Sequence, residues 1–338
     1  MERRGFLKAA VTGIAGVRSI AAGLVGGATA SFSISSVAGL VTIDLSVFAL
    51  SKSVSATKNV LTWQYIDLSQ SAPGALGAGI VVFQGDAVVI QLQNTLSSHS
   101  IKLKIPGFDN RDWVTIPPGG VGSYQFTPVQ AGSYVIYDEA NGSLGRAMGL
   151  AMPLVVLPIS TSTGVGTDVY ERLYNRAPIE HSYQREYTLM LNELDSRIND
   201  AVQAGNPVDM DTYEPDYFFV NGLSYPDTVY DINGNVDDGK AILMSTDEQV
   251  AIRFINGGLI YYPMHFHGYH VNVILRDRVL ESAVVEKDTV LVRPGESVDN
   301  ILHVGGQTGL YPLHTHYVPG VTSAGSYAGG GLLMLKAI

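Results

Sequence analysis

From about residue 60 to the end of the chain, short runs of β-branched, aliphatic and aromatic residues alternate with turns rich in Gly, Pro, Asn and Ser. Short runs bounded by turn residues are typical of strands, and their regular spacing argues for β-sandwiches. We therefore expect an all-β protein. The clearest runs are 80–83, 87–92, 101–104 and 133–137 in the first half, and 249–254, 270–275 and 289–292 in the second.

The two halves of the sequence also resemble each other. Segments 86–94 and 248–256 both run from a polar start through an apolar stretch to an Asn. In each half a Pro-Gly turn follows, and then a Gly-x-Tyr that precedes another strand. We expect two copies of one sandwich, a first domain over 50–158 and a second over 186–338, joined by a linker over 159–185. A short helix is expected around 189–204.

Two H-x-H spacings stand out near the C-terminus, His265-Phe-His267 and His314-Thr-His316, and they hold half of the eight histidines of the chain. Each lies in a strand-like run, so both imidazoles of a pair point to the same face. Four imidazoles from two neighbouring strands make a nitrogen-rich pocket suited to copper or zinc. Ordinary core or surface histidines are the alternative, and the doubled pattern favours a metal site.

Composition excludes several classes of protein. The chain has no cysteine, and therefore no disulfide, no iron–sulfur cluster and no thiolate-bound copper. A hydrophobic content of 46% with only 15% charged residues is typical of a compact protein and not of a disordered one. The formal net charge of −10 argues against nucleic acid as a partner.

Residues 1–30 have the pattern of an export signal. Arg3 and Arg4 open a twin-arginine-like motif, an apolar stretch rich in Gly and Ala follows, and 28–30 fits a small-residue cleavage site. Arg18 interrupts the apolar stretch, which argues against a membrane-spanning helix. Contact with a membrane is expected only if this segment is not cleaved. We expect an extracytoplasmic protein, in the periplasm, at the cell surface or secreted, with 31–49 as an N-terminal extension.

Several motifs of the second half, in this order and spacing, resemble the final domain of multicopper oxidases. They are 217–222, 254–258, 263–268, 288–290 with 294–296, and 314–316. The resemblance covers essentially all of 186–338 and, more weakly, 76–158. With two domains, the chain is similar to the two-domain multicopper oxidases and the copper nitrite reductases. The resemblance implies two cupredoxin-like Greek-key β-sandwich domains, copper as cofactor with zinc as the alternative, and a homotrimer or larger homo-oligomer.

The resemblance extends to only part of the family's copper ligands. In the family, the first histidine of H-x-H-G binds the type 2 copper, and the second binds the type 3 pair together with both histidines of H-C-H. Those positions are kept here as His265, His267, His314 and His316. The positions of the type 1 copper ligands correspond instead to Tyr262, Thr315, Gly320 and Gly325. The resemblance therefore implies a reduced, single, type 2-like copper site and no type 1 copper.

The first domain lacks the histidine pairs that relatives carry. The corresponding segments read Lys102-Leu103-Lys104 and Tyr137-Asp138-Glu139, and His99 is the only histidine of that domain. A trinuclear centre needs eight imidazoles at one place, so it cannot form within this chain. We hypothesise that Lys102 and Lys104 fill the vacated space, with Glu139 as counter-ion and Tyr137 filling volume. Ordinary surface lysines are the alternative.

Other polar residues lie near the histidine pairs in sequence. Six tyrosines are expected to fill the vacated type 1 pocket more than to bind metal: Tyr261, Tyr262, Tyr269, Tyr311, Tyr317 and Tyr327. Asp288 and Glu296 flank turns and are expected to be hydrogen-bonding loop residues, although a carboxylate near a metal also moves protons.

Three functions follow from the retained and missing ligands. The first is an exported copper-dependent oxidoreductase whose electrons arrive directly from a small molecule or a protein donor. The second is a non-catalytic copper-binding protein for storage or delivery. The third is a structural subunit of a surface assembly built on this scaffold. The sequence identifies no catalytic residue and leaves open whether the chain is an enzyme.

Overall fold

The computed structural model describes residues 21–22, 39–68, 79–108, 113–158, 171–174 and 182–338. Most of the predicted signal segment and much of the predicted linker lie outside these residues. Among the described helices, none is long and apolar enough to cross a membrane.

The first half of the chain folds into two sheets that pack face to face. Its strands are β1 (Ala21–Ala22), β2 (Leu40–Ser55), β3 (Lys58–Asp67), β4 (Gly79–Phe83), β5 (Ala87–Asn94), β6 (Leu103–Lys104), β7 (Val121–Phe126), β8 (Gly132–Asp138) and β9 (Ala151–Leu157), with the short helix α1 (Ser143–Ala147) before β9. One sheet has the order β3-β2-β5-β7 and the other β1-β4-β9-β8-β6. Side chains from both sheets form one core, including Ile90, Ile136 and Leu154.

Alternation of apolar and polar residues explains these strands. In β5, Val88, Ile90 and Leu92 are buried, whereas Gln91 and Gln93 between them are exposed. A strand with one face on the core requires this period of two.

The first domain begins earlier than the sequence analysis placed it. Strand β2 starts at Leu40 and pairs in parallel with β5 from Leu40↔Ala87 to Val47↔Asn94. Part of the segment 31–49, taken as an extension, is therefore a central strand. Its alternating apolar residues, such as Ile43 and Leu45, are buried in the core.

The second half forms the larger sandwich. After β10 (Glu171–Arg172) and β11 (Ser182–Tyr183), its strands are β12 (Arg185–Leu194), β13 (Tyr217–Val220), β14 (Ile242–Met244), β15 (Gln249–Asn256), β16 (Tyr262–Phe266), β17 (Val271–Arg276), β18 (Val279–Lys287), β19 (Thr289–Val292), β20 (Ser297–His303), β21 (Gly309–Thr315), β22 (Thr322–Ser323), β23 (Ser326–Tyr327) and β24 (Leu332–Ala337). Helix α2 (Ser196–Ala204) and two 3-10 turns, Met210–Thr212 and Val318–Val321, complete it.

The strands β12–β24 form two sheets around a second core. An eight-stranded sheet has the order β18-β17-β20-β15-β12-β13-β22-β23, and a five-stranded sheet has the order β14-β24-β21-β16-β19. Phe254 from the first sheet and Phe266 from the second meet with ring centroids 5.8 Å apart. Strands β16 and β21 are neighbours at the middle of the five-stranded sheet, and they carry the two H-x-H motifs.

The helix expected at 189–204 forms only in its second half, and its first half belongs to a strand. Residues up to Leu194 belong to β12, which lies between β15 and β13 in the eight-stranded sheet. The helix begins at Ser196, because the side chain of Asp195 accepts a hydrogen bond from the Arg197 N–H and caps it. It ends at Gly205, whose φ of 71° lies in the left-handed region.

A buried polar network joins the two domains. The Asp299 carboxylate accepts hydrogen bonds from the Ser133 hydroxyl and from the Ser133 N–H, the latter at 3.2 Å. The guanidinium of Arg253, which is fully buried, lies 3.4 Å from Asp299 and 3.0 Å from the Glu186 carboxylate. A second contact comes from Arg146 of α1, whose Nε donates to the Gly257 carbonyl at 3.0 Å.

Replacing Asp299 with Ala should destabilise the protein strongly. The change leaves Ser133 without its acceptor and removes one of the two carboxylates beside the buried Arg253, so we expect a loss of about 3–5 kcal/mol in the free energy of unfolding. Urea unfolding measures this. Asp200→Ala, which removes an exposed ion pair with Lys58, is the control and should cost under about 1 kcal/mol. Equal losses for the two variants would contradict the role given to Asp299.

Candidate metal centre

The register of β16 and β21 places all four predicted histidines on one face of the five-stranded sheet. His265 is directly opposite His314. Beyond this pair, the backbone N–H of His267 donates to the Pro312 carbonyl at 3.0 Å, and the N–H of His316 donates to the Pro263 carbonyl at 2.7 Å. The ladder therefore continues in register through both motifs. The residues between the histidines, Phe266 and Thr315, point into the core.

The four imidazoles are close neighbours. The ring centroids of His265 and His316 are 4.4 Å apart, those of His265 and His267 are 4.7 Å apart, and those of His267 and His314 are 5.1 Å apart. His265 and His314 are half-buried, whereas His267 and His316 are exposed at the rim. The prediction that the two motifs converge on one side of a sheet is confirmed.

One pair of imidazole nitrogens is in hydrogen-bond contact. Nε2 of His267 lies 3.0 Å from Nε2 of His314. Two imidazole nitrogens at about 2.0–2.1 Å from one ion come this close to each other. As the side chains stand, no group of three or more His, Asp or Glu residues in the described part of the chain surrounds a single point. The structure thus brings four imidazoles together, with two of their nitrogens as close as two ligands of one ion.

Backbone carbonyls orient two of the rings. Nδ1 of His314 lies 2.9 Å from the Thr315 carbonyl, and Nδ1 of His265 lies 3.1 Å from the Asp288 carbonyl. A carbonyl only accepts hydrogen bonds, so each Nδ1 carries the proton and each Nε2 keeps its lone pair for a metal. The hydroxyl of Thr289, 3.0 Å from Nδ1 of His265, adds a second contact. Sequence reasoning did not identify Thr289 as a site residue.

The electrostatics of the cluster favour neutral imidazoles, which are the form that binds a metal cation. Burial lowers the pKa of His267, and the neighbouring His265, His314 and His316 lower it further. Rings that resist protonation stay available as neutral ligands. The donor set, four imidazoles without a thiolate, fits one copper or zinc ion.

The carboxylates flanking the turns differ in their position. Asp288 is half-exposed, and its Oδ2 lies 3.8 Å from Nδ1 of His265 at the edge of the cluster. Glu296 is buried and accepts hydrogen bonds from the Arg293 N–H at 2.7 Å and from the Arg276 guanidinium at 3.3 Å. Glu296 is therefore a hydrogen-bonding loop residue, as predicted.

Packed side chains surround Tyr262, a position that the resemblance assigns to a type 1 copper ligand. Tyr262 is buried, and its hydroxyl donates to the Glu193 carboxylate at 2.7 Å. The same carboxylate accepts from the Tyr213 hydroxyl at 3.1 Å and from the Leu259 N–H. Burial raises the pKa of Glu193, although these donors and Arg146 lower it in part. Sequence reasoning missed Glu193, whose only signal was a charge inside the apolar run of β12.

Two of the remaining type 1 positions, Thr315 and Gly320, are also packed, whereas Gly325 is exposed with open space around a Cβ. Thr315 is buried, and its hydroxyl accepts from the Tyr317 N–H at 3.1 Å. A Cβ at position 320 would lie 2.5 Å from the Thr315 methyl group, so only glycine fits there.

The six tyrosines near the histidine pairs fall into a packed group and an exposed group. Tyr262, Tyr269, Tyr311 and Tyr317 pack on the core, whereas Tyr261 and Tyr327 are exposed.

The structure shows Glu139 as the counter-ion of both lysines of the first domain, as expected. Glu139 lies 3.2 Å from the ammonium of Lys102 and 3.5 Å from that of Lys104. Tyr137 packs with its ring under the Arg146 guanidinium, 5.1 Å from its centroid. The two lysines therefore share one carboxylate at the surface.

The other described histidines lie outside the cluster. His99 packs against Trp63 with ring centroids 4.5 Å apart. His270 and His303 are exposed, and Nε2 of His303 lies 3.3 Å from the Asn272 amide. None of these three is among the ring contacts of the four clustered imidazoles in the described part of the chain.

Comparison with known proteins finds a family match in the second half of the chain. Residues 208–328 match the family model of the multicopper oxidases. A search of curated protein sequences finds no match.

Solved structures resemble nearly the whole chain. A blue copper oxidase from Nitrosomonas europaea superposes with a TM-score of 0.71 at 22% identity, over 88% of this chain and 85% of that one. A copper nitrite reductase from the same organism has a TM-score of 0.62 at 16% identity, over 88% and 94%. The predicted all-β fold of two cupredoxin-like sandwiches is thereby confirmed.

Gly320→Ala should destabilise the protein by about 1–3 kcal/mol, because the added methyl group overpacks against Thr315. Thermal and urea unfolding measure the loss. Combining the change with Thr315→Ser removes the opposing methyl group, keeps the hydroxyl, and should restore most of the stability. If the double variant is as unstable as Gly320→Ala, the Thr315 methyl group does not fill the space beside Gly320 as the structure indicates.

Proposed function

Because residues 208–328 form a multicopper oxidase domain within a chain of two cupredoxin-like sandwiches, we propose an exported copper-binding protein with a single copper site. The site is held by His265, His267, His314 and His316 and is accompanied by no type 1 copper. The observation that carries the proposal is the convergence of these four imidazoles on one sheet face, with one nitrogen pair 3.0 Å apart.

The four histidines would have different roles in holding the copper ion. His267 and His314 would hold the ion through the nitrogens that already approach each other. His265 is fixed by the Asp288 carbonyl and Thr289, and so presents its free nitrogen with little loss of conformational entropy. His316, exposed at the rim, would complete the shell or leave a position for an exchangeable ligand. Copper bound there would supply a one-electron redox centre.

Copper is favoured over zinc for two reasons. Divalent copper binds nitrogen ligands more tightly than zinc does in the usual affinity order. The similar structures named above are also copper proteins.

An oxidoreductase of this kind lacks an internal electron relay. The chain has no cysteine, and three of the four type 1 positions are closed, by Tyr262, Thr315 and Gly320. Electrons must therefore reach the histidine cluster directly from a small molecule or a protein donor. The exposure of His267 and His316 allows such an approach. Among the described residues, Asp288 lies nearest to act as a proton carrier, 3.8 Å from His265.

The same exposure favours a second candidate, a non-catalytic protein that stores or delivers copper. Histidine ligands at an exposed rim allow rapid exchange of copper with a partner. A protein that only stores or delivers copper needs no internal electron relay. Steady consumption of a reductant in proportion to bound copper decides for the oxidoreductase. Tight binding with no turnover of a phenol, nitrite or cuprous ion decides for storage or delivery.

A homo-oligomer is part of the proposal. The sheet face that carries the histidines also exposes Leu291 (40%) and Leu310 (49%), and apolar surface next to a site is typical of an interface. A homotrimer is the form that the resemblance to two-domain relatives favours.

Copper affinity should depend on the four clustered histidines and not on the other histidines of the chain. We expect His267→Ala and His314→Ala each to weaken copper binding by at least about 100-fold, since loss of a mere outer contact already costs 10–100-fold. Competition titration gives the affinity, and electron spin resonance should show a type 2 signal with no intense blue band. His303→Ala, exposed and outside the cluster, is the control. Unchanged affinity in the His267 and His314 variants would refute the site.

Export should require the paired arginines. Arg3→Lys with Arg4→Lys should leave the full-length chain in the cytoplasm of a bacterium that has twin-arginine transport, while the unaltered chain is exported. Fractionation and immunoblotting measure this, with Lys8→Arg as the control that keeps the charge. Equal export of the two chains would contradict this route.

A further inference from the structure

One edge of the eight-stranded sheet carries an exposed apolar strand. Strand β18 lies at the end of the sheet and, within the described residues, pairs only with β17. All of its residues are exposed except the half-buried Glu281. Four of them are aliphatic: Val279 (67%), Leu280 (50%), Val284 (49%) and Val285 (44%).

The middle of this strand has no partner in β17. Val285 pairs with Val273 and Leu280 with Leu275, so the four residues 281–284 bulge opposite the single residue 274. Bulges usually protect an edge when they present charges or proline. Glu281, the charged residue of this bulge, is half-buried and paired with Arg276, so the bulge exposes Ser282, Ala283 and Val284 to solvent instead. An apolar edge of this kind is typical of a strand that is covered in the assembled protein.

We propose that β18 is a self-association strand, which pairs antiparallel with β18 of a second copy about a two-fold axis at Val284. A two-fold contact is self-complementary, so each residue meets its counterpart at an equal distance from the axis. Val284 then meets Val284, and Ala283 meets Val285 of the other copy. Val284 and Val285 are thereby covered by Val284 and Ala283 of the second copy, whereas Val279 and Leu280 lie beyond this apolar centre.

Charge selects this register. With the axis at Val284, Glu281 lies opposite Lys287 of the second copy, and the pair occurs twice. An axis at Ala283 places Glu281 opposite Val285 and Lys287 opposite Val279. An axis at Val285 places Lys287 opposite Ala283 and Glu286 opposite Val284. Only the first of these three registers pairs opposite charges, and the one charge that it places opposite an aliphatic residue is Asp288, just beyond the strand, opposite Leu280.

Both charged groups are available for that contact. The Arg276 guanidinium, 2.9 Å from the Glu281 carboxylate, holds it at the edge of the sheet. Lys287 makes no ion pair within the part of the chain that the structure describes. The contact would therefore extend one ion pair into a chain of three charges, Arg276, Glu281 and the second copy's lysine. It involves no copper and is independent of the proposed function.

Light scattering of the full chain, in the presence of a chelator, tests the contact. We expect Val284→Lys to halve the molar mass of the wild-type particle, whatever other oligomer forms, because it places two lysines on the axis. Val129→Lys, a change of a more exposed valine in the first domain (77%), should leave the mass unchanged. If the wild type and Val284→Lys have equal masses, the proposal is overturned. The same holds if the wild type binds a different protein through β18 and not a second copy of itself.

A charge exchange provides the more specific test. Glu281→Lys and Lys287→Glu, each alone, put like charges opposite each other and should also halve the mass. When the two variants are mixed, every pair is again of opposite sign, so the wild-type mass should return. Circular dichroism confirms that each variant is folded. If Glu281→Lys does not fold, Val284→Lys and Lys287→Glu decide the question by themselves. A mixture that stays at half mass would overturn the register.

Discussion

The pairing register of β16 and β21 is the constraint on which the site depends. His265 lies opposite His314, and the alternation of a β-strand then forces His267 and His316 onto the same face. A slip of one residue in either strand would turn that strand's two imidazoles into the core and bring its intervening residue, Phe266 or Thr315, to the surface. The buried Phe266, which packs on Phe254, prevents that slip. The core of the sandwich and the metal-binding face are therefore determined by the same residues.

Much of this arrangement could be predicted from the sequence. The strands were evident from apolar alternation, and the two H-x-H motifs fixed which side chains share a face. The start of the first domain was placed too late, although 41–47 alternates as clearly as later strands, because its apolar character was taken to continue the signal segment. The helix at 189–204 was wrong in its first half, since pairing between two neighbours keeps β12 extended.

Contacts between distant residues could not be predicted. No local pattern shows that Asp299 meets Ser133 across the domain boundary, or that a carbonyl at Asp288 orients His265. Glu193 is the clearest example. Its charge in an apolar strand becomes intelligible only when Tyr213 and Tyr262 are brought to it by the fold. The loss of the type 1 ligands was read from the sequence, but the network that replaced them was not.

The most direct test of a single copper held by these imidazoles is X-ray absorption of the copper-loaded protein. The account predicts a shell of nitrogen and oxygen at about 2.0 Å with the multiple scattering of imidazole rings, no sulfur at about 2.3 Å and no copper–copper distance. A copper–copper vector, or a shell without imidazole scattering, would contradict it.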